Sequence, residues 1–160
     1  MPRETPSQTA GPYVHIGLTP NAAGIGGQGD ADIGEFMVKD GARHLSGVVY
    51  DGAGEPVTDA VVEAWQADIA AFGRSAADAV TGEFHFQTRV SNDPFVTLWI
   101  VARGINVGLH TRVYWPETPP SIEGVSEDRL KILIAQKTAN ENYRFDIHLQ
   151  GREETLFFDI

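Results

Sequence analysis

Apolar and polar residues along this chain alternate in short runs, and a period of two predicts strands rather than helices. The cleanest run is 82–90, where Phe84 and Phe86 fall on one face and His85 and Gln87 on the other. Residues 44–50 read as a strand closed by the turn Asp51-Gly52-Ala53-Gly54. Residues 57–68 read as a second strand, with Val61, Glu63 and Trp65 opposite Val62 and Ala64. The stretch 95–102 is almost continuously apolar, as a strand buried on both faces would be. In 107–115 the alternation returns, setting His110, Arg112 and Tyr114 against Leu109, Val113 and Trp115. Two further strands are expected over 143–149 and 154–160, on either side of Gly151. Ser126 followed by Glu127 and Asp128 predicts an N-capped helical turn, with acids where the helix dipole favours them. Residues 130–135 fit either a continuation of that helix or a strand. About seven short strands separated by turns predict an all-β fold, an antiparallel β-sandwich with at most one or two short helical turns.

The N-terminal stretch departs from this pattern. Pro2, Pro6 and Pro12 remove backbone donors and hold the preceding residues extended, which predicts neither a helix nor a central strand. Tyr13, Val14 and Ile16 nevertheless give it apolar side chains that favour burial. Residues 1–17 are therefore expected to be an extended arm lying on another surface, with 18–160 forming a single β-sandwich domain. Gly24, Gly26, Gly27, Gly29, Gly34 and Gly41 predict irregular backbone over 18–42.

Composition narrows the function. With 160 residues, 42% of them hydrophobic, the chain can bury one proper core. A formal charge of −10 argues against nucleic acid and against an anionic membrane surface as partners. Cysteine is absent, so disulfides and thiol chemistry are excluded. No signal peptide or bilayer-length apolar run is apparent, which predicts a cytoplasmic protein.

Self-contained catalytic equipment is scarce. Gly24-Ile25-Gly26-Gly27 lacks the flanking strand and helix of a phosphate-binding loop, and no serine nucleophile elbow occurs. His15, His44, His85, His110 and His148 are scattered without metal-ligand spacing, which suits surface or hydrogen-bonding roles. Glu153, Glu154 and Asp159 read as a solvated acidic end. The strongest positive signal is Arg103, at the end of an apolar strand and just before a glycine turn. A guanidinium there could grip a carboxylate in bidentate fashion, or pair with one of the chain's own acids. Tyr13 could serve as a hydrophobic anchor or as a phenol donor. For His110, Arg112 and Tyr114 a solvated or interface face is the simpler expectation.

Several blocks resemble the α subunits of the protocatechuate 3,4-dioxygenases, within the intradiol dioxygenase family. They include the stretch from Thr5 to Leu18 with its Thr9-Ala10-Gly11-Pro12-Tyr13 corner, Val62-Glu63-Ala64-Trp65-Gln66, and Ala102-Arg103-Gly104-Ile105-Asn106. Leu109 to Tyr114, Tyr143 to Ile147 and the tail from Glu154 to Asp159 extend the likeness from end to end. The resemblance implies a subunit of an enzyme in which Fe(III), held by two tyrosines and two histidines, activates a catechol for O2-dependent ring cleavage. Protocatechuate would give 3-carboxy-cis,cis-muconate, a step of the β-ketoadipate pathway.

In that family the iron belongs to a homologous β subunit, the implied partner. Here the His-x-His ligand positions fall on Phe95 and Thr97, and no tyrosine stands where the other ligands belong, so no metal is expected on this chain. The resemblance further implies that Thr9, Gly11, Pro12, Tyr13 and Arg103 line the pocket beside the partner's iron. Relative to the family the chain is abbreviated within 18–42, after Asp68 and around Ser91. A non-enzymatic prealbumin-like binding module, or a homo-oligomer without dioxygenase activity, are the competing readings.

Overall fold

A computed structural model describes residues 9–25, 34, 37–38 and 40–159. Pro2, Pro6, Gly26, Gly27 and Gly29, on which part of the arm and loop expectations rest, lie outside the described residues. The elements are helix α1 (Pro12–Leu18), strands β1 (Arg43–Tyr50), β2 (Val61–Gln66), β3 (Ala71–Ala76), β4 (Glu83–Thr88), β5 (Phe95–Val101) and β6 (Leu109–Tyr114), helix α2 (Glu127–Lys131), and strands β7 (Gln136–Ala139), β8 (Asn142–Arg144) and β9 (Ile147–His148). One sheet runs β4-β1-β8-β7, with β9 also on β1; the other runs β3-β2-β5-β6. This is the expected two-sheet sandwich with two short helices.

The core lies between the sheets. Leu45 and Val49 from β1 and Phe84 and Phe86 from β4 meet Val62 and Ala64 from β2 and Val96, Leu98 and Ile100 from β5. Alternation is the cause, since these residues occupy one face of each strand and their neighbours the other. A buried polar tie joins the sheets, where the Thr88 hydroxyl donates to Gln66 Oε1. Gly47 is required by close approach. A Cβ there would meet the Phe145 carbonyl oxygen at 1.8 Å, and that oxygen is backbone that cannot swing away. Beside it, Asp146 Oδ1 accepts the Val48 N–H at 2.9 Å, continuing the ladder where β8 and β9 are interrupted.

Several expectations need correction. The proline-rich arm does not stay extended, because residues 12–18 form α1. Proline is excluded from helix interiors but suits the first helical position, where its missing N–H would have no partner anyway. Gly11 before it is extended, with φ −135° and ψ −171°, as a residue preceding proline must be. The 95–102 strand is not buried on both faces; its burial alternates, with Val96, Leu98 and Ile100 inside.

The strand expected over 143–149 divides into β8 and β9, and both run parallel to β1 rather than antiparallel. Residues 154–159 form no strand beyond one bridge, Phe158 with His110. Residues 130–135 are neither alternative. The helix stops at Lys131, and Ile134 then bridges Tyr114. Tyr114 is not solvated, being only 6% exposed. Two strands were not foreseen, β3 and β7. No helix among the described residues is long and apolar enough to cross a membrane.

Candidate functional site

The strand register builds the corner that holds Arg103. β2 and β5 are antiparallel neighbours, and Val61 opposite Val101 is their outermost pair. Continuing outward sets the buried Ala60 and Ala102 side by side, then Asp59 and Arg103. Arg103 forms an ion pair with Asp59, its Nε lying 3.3 Å from Oδ2. The turn after it depends on Gly104, whose φ of +90° is one that side chains other than glycine's rarely allow. Arg103 thus pairs with one of the chain's own acids, yet its side chain is 79% exposed.

The arm closes the same corner. Thr9 Oγ1 accepts the Gly104 N–H at 2.6 Å. Gly11 caps α1, its carbonyl accepting the Val14 N–H at 2.9 Å. His15 Nε2 stands 3.0 Å from the Asp59 carbonyl oxygen and so acts as the donor, while Nδ1 lies 3.3 Å from Thr19 Oγ1. Arg74, fixed to Glu63 through Nε at 2.8 Å, also donates to the Leu18 carbonyl at 3.3 Å and secures the end of the helix. A hollow of about 210 Å³ results, lined by Ala10, Gly11, Val14, His15, Asp59 and Arg103. On its other side Arg103 borders an open groove of about 820 Å³, whose apolar members include Ile105, Val107 and Leu149.

Thr9, Gly11 and Arg103 are therefore brought together, and Pro12 opens the helix between them. Tyr13 is 84% exposed, so within this chain it anchors nothing. Asp59 and His15 complete the corner and were missed as members of it. His15 was one of five scattered histidines and Asp59 one of many acids. Only the register of β2 against β5 could have singled Asp59 out.

Phe95 and Thr97 lie elsewhere, on the outer face of β5. Phe95 is opposite Tyr114, with ring centroids 5.2 Å apart, and the Arg112 guanidinium lies 4.6 Å above its ring. Thr97 pairs across to Trp65 on β2 and Arg112 on β6. A phenyl ring and a single hydroxyl at these positions do not fit a metal that needs imidazole and phenolate donors. Among the described residues no three His, Cys, Asp or Glu side chains gather as a metal site.

Two other polar clusters are committed to the fold. Arg43 lies between the Trp115 and Tyr143 rings, at 4.7 and 5.0 Å, and pairs with Glu141 at 3.1 Å. Burial pushes the Tyr143 hydroxyl above its ordinary 10.0. A concavity of about 550 Å³ over β1, β4 and β8 contains His44, His85 and Arg144. Its one arginine is already neutralised by Asp146 at 2.9 Å and Glu83 at 3.4 Å.

The sandwich with a helical arm across one end has the dioxygenase fold. It superposes on a dioxygenase domain from Streptomyces sp. SirexAA-E with a TM-score of 0.55 at 18% identity, covering 76% of this chain and 88% of that one. For hydroxyquinol 1,2-dioxygenase from Pseudomonas putida DLL-E4 the TM-score is 0.54 at 16% identity, covering 86% and 72%. No protein-family model matches the chain.

Whole-length relatives narrow the class. The protocatechuate 3,4-dioxygenase alpha chain of Pseudomonas putida is 38% identical over 195 positions, covering 98% of this chain and 96% of its own length. That of Burkholderia cepacia is 30% identical over 199 positions, covering 99% and 98%. The chain belongs to the protocatechuate 3,4-dioxygenase alpha-chain family. An alignment of 195 positions exceeds the 160 residues available, so this chain is shorter than that relative through internal gaps.

Proposed function

We propose that this chain is the iron-free α subunit of a protocatechuate 3,4-dioxygenase, completing a substrate pocket whose Fe(III) sits in a homologous β subunit. The observation that carries the reading is the corner joining Thr9, Gly11 and Arg103 across a sequence separation of more than ninety residues. Protocatechuate carries a carboxylate opposite the hydroxyls at which its ring is cleaved. Arg103 supplies an exposed cation on a chain of charge −10, and a guanidinium binds carboxylate through paired donors. With the carboxylate fixed there, the two hydroxyls point away from this chain, towards the partner.

Pro12 and Tyr13 complete the wall in this reading. An 84% exposed tyrosine leaves its ring free for a surface covered by a partner, where it orients the substrate and excludes solvent. The partner's iron supplies the activation of catechol for reaction with O2; this chain binds, orients and shields. The product is 3-carboxy-cis,cis-muconate.

Co-expression with a β-type chain that carries the two-tyrosine and His-x-His ligand pattern tests the proposal. The expected result is a coloured, iron-containing hetero-oligomer that cleaves protocatechuate, beside an inactive isolated chain. Ring cleavage by the pure chain with stoichiometric iron would sink it. Removal of residues 1–13 is expected to abolish activity. Unchanged assembly and activity after that deletion would favour an autonomous binding module instead.

A further inference from the structure

We propose that Asp59 is a positioning residue for Arg103, one that sets how the pocket receives a carboxylated substrate; this rests on the pocket reading above. Asp59 touches both halves of the corner. Its carboxylate holds Arg103 Nε at 3.3 Å, and its backbone carbonyl receives His15 Nε2 of the arm helix at 3.0 Å. The base of this arrangement is rigid, because the adjoining Ala60 and Ala102 are buried at 0% and 1% exposure between the paired strands. No carboxylate other than that of Asp59 pairs with Arg103 among the described residues.

An ion pair whose nearest approach is at Nε, the guanidinium nitrogen closest to the stem, limits the rotamers of the side chain and leaves the terminal nitrogens as donors at its tip. The terminal nitrogens are then available to a ligand carboxylate. A free arginine with 79% of its side chain exposed would instead sample many rotamers, and binding would have to order it first. Folding does not account for the pair, since exposed ion pairs contribute little to stability. The carboxylate also repels an anionic substrate, so the tether and the charge act on affinity in opposite directions. The sign of the change on mutation separates them.

The test uses the complex with its partner chain and measures steady-state kinetics with protocatechuate and with catechol, which lacks the carboxylate. Asp59→Ala, which removes the tether, is expected to raise KM for protocatechuate about fivefold, the equivalent of one good surface pair. KM for catechol should move by less than about twofold, as no carboxylate meets Arg103. Asp59→Glu keeps a carboxylate to pair with Arg103 and should retain most of the affinity, whereas Asp59→Asn, which removes the charge, should behave like Asp59→Ala. In an Arg103→Ala background, Asp59→Ala should add nothing further, because its effect passes through Arg103.

An unchanged or lowered KM in Asp59→Ala, where Arg103→Ala raises it, overturns the proposal alone. So does an equal rise for both substrates, or an additional rise in the Arg103→Ala background. If Arg103→Ala itself leaves KM for protocatechuate unchanged, the pocket reading fails and the proposal with it.

Discussion

At the first residue of β5, Phe95 lies 4.6 Å beneath the Arg112 guanidinium with the Tyr114 ring 5.2 Å away. Two residues past the last, Arg103 stands 79% exposed, held by one carboxylate. The same strand therefore carries two arginine environments. Arg112 is sandwiched between Phe95 and Phe158, at 4.6 and 4.9 Å, so its contacts are with rings of its own chain. Arg103 has a tether and open grooves on either side.

The contrast separates packing from chemistry. Positions that resemblance marks for metal ligands, 95 and 97, have become part of a half-buried aromatic face. The chemistry proposed for this chain is at the strand's end, where loops can hold polar groups without disturbing the core.

Phe95→Ala breaks the packed end most strongly. Losing a half-buried ring and its two aromatic and cationic contacts should cost about 2 kcal/mol, below the value for a fully buried phenylalanine. Urea unfolding of the variant chain measures this. A cost within experimental error would mean that the outer face of β5 is also held free for a partner.

Thr88→Val tests the polar tie near the same end. Valine keeps the shape but leaves the buried Gln66 Oε1 without the hydroxyl that donates to it. The expected loss is about 1.5 kcal/mol, from one acceptor left unsatisfied rather than from lost volume. A neutral result would mean that Gln66, whose Nε2 also donates to Ser91 Oγ at 3.0 Å, can turn to find another donor.

Arg103→Ala is the counterpart at the open end. It should raise KM for protocatechuate in the complex about tenfold, or about 1.4 kcal/mol, while shifting unfolding by less than about 0.5 kcal/mol. A large loss of stability with little change in KM would reverse the comparison and make Arg103 the structural member.

These two ends were unequally legible in the sequence. Alternation showed β4 clearly, since Phe84 and Phe86 contrast with His85 and Gln87. β3 gave little signal, because its buried positions Ala71, Gly73 and Ser75 are too small or polar to mark an apolar face. β7 gave none, because all four of its residues are exposed at a sheet edge. The 154–160 run misled for the opposite reason, its apolar residues packing without a ladder to join. Helix α1 escaped because proline bars a helix interior but not its first position, where Pro12 stands.

At the site, Thr9, Gly11 and Arg103 could be nominated through resemblance, but Asp59 could not. Its partnership is a property of register, and register was not readable until β2 was known to lie beside β5 rather than pair with β1.

The smallest expected effect concerns Asp78, a carboxylate held wholly by its own turn and so a control for the tethered Arg103. Its Oδ1 accepts the Thr81 N–H at 2.7 Å, the Val80 N–H at 2.9 Å and the Thr81 hydroxyl at 3.0 Å. The backbone N–H of Thr81, then that of Val80, holds the carboxyl below its ordinary 3.8. In the unfolded chain these donors are lost and the carboxyl binds protons more readily. The contribution to stability is therefore complete above the ordinary value and is lost as pH falls through the native one. Asp78→Asn should flatten the acid limb of the stability curve slightly and leave KM for protocatechuate unaltered. Urea midpoints of both proteins between about pH 6 and about pH 2 would show the gap narrowing towards acid. A gap that stays constant would mean that the amide replaces the carboxylate in the turn, and that local geometry rather than charge sustains it.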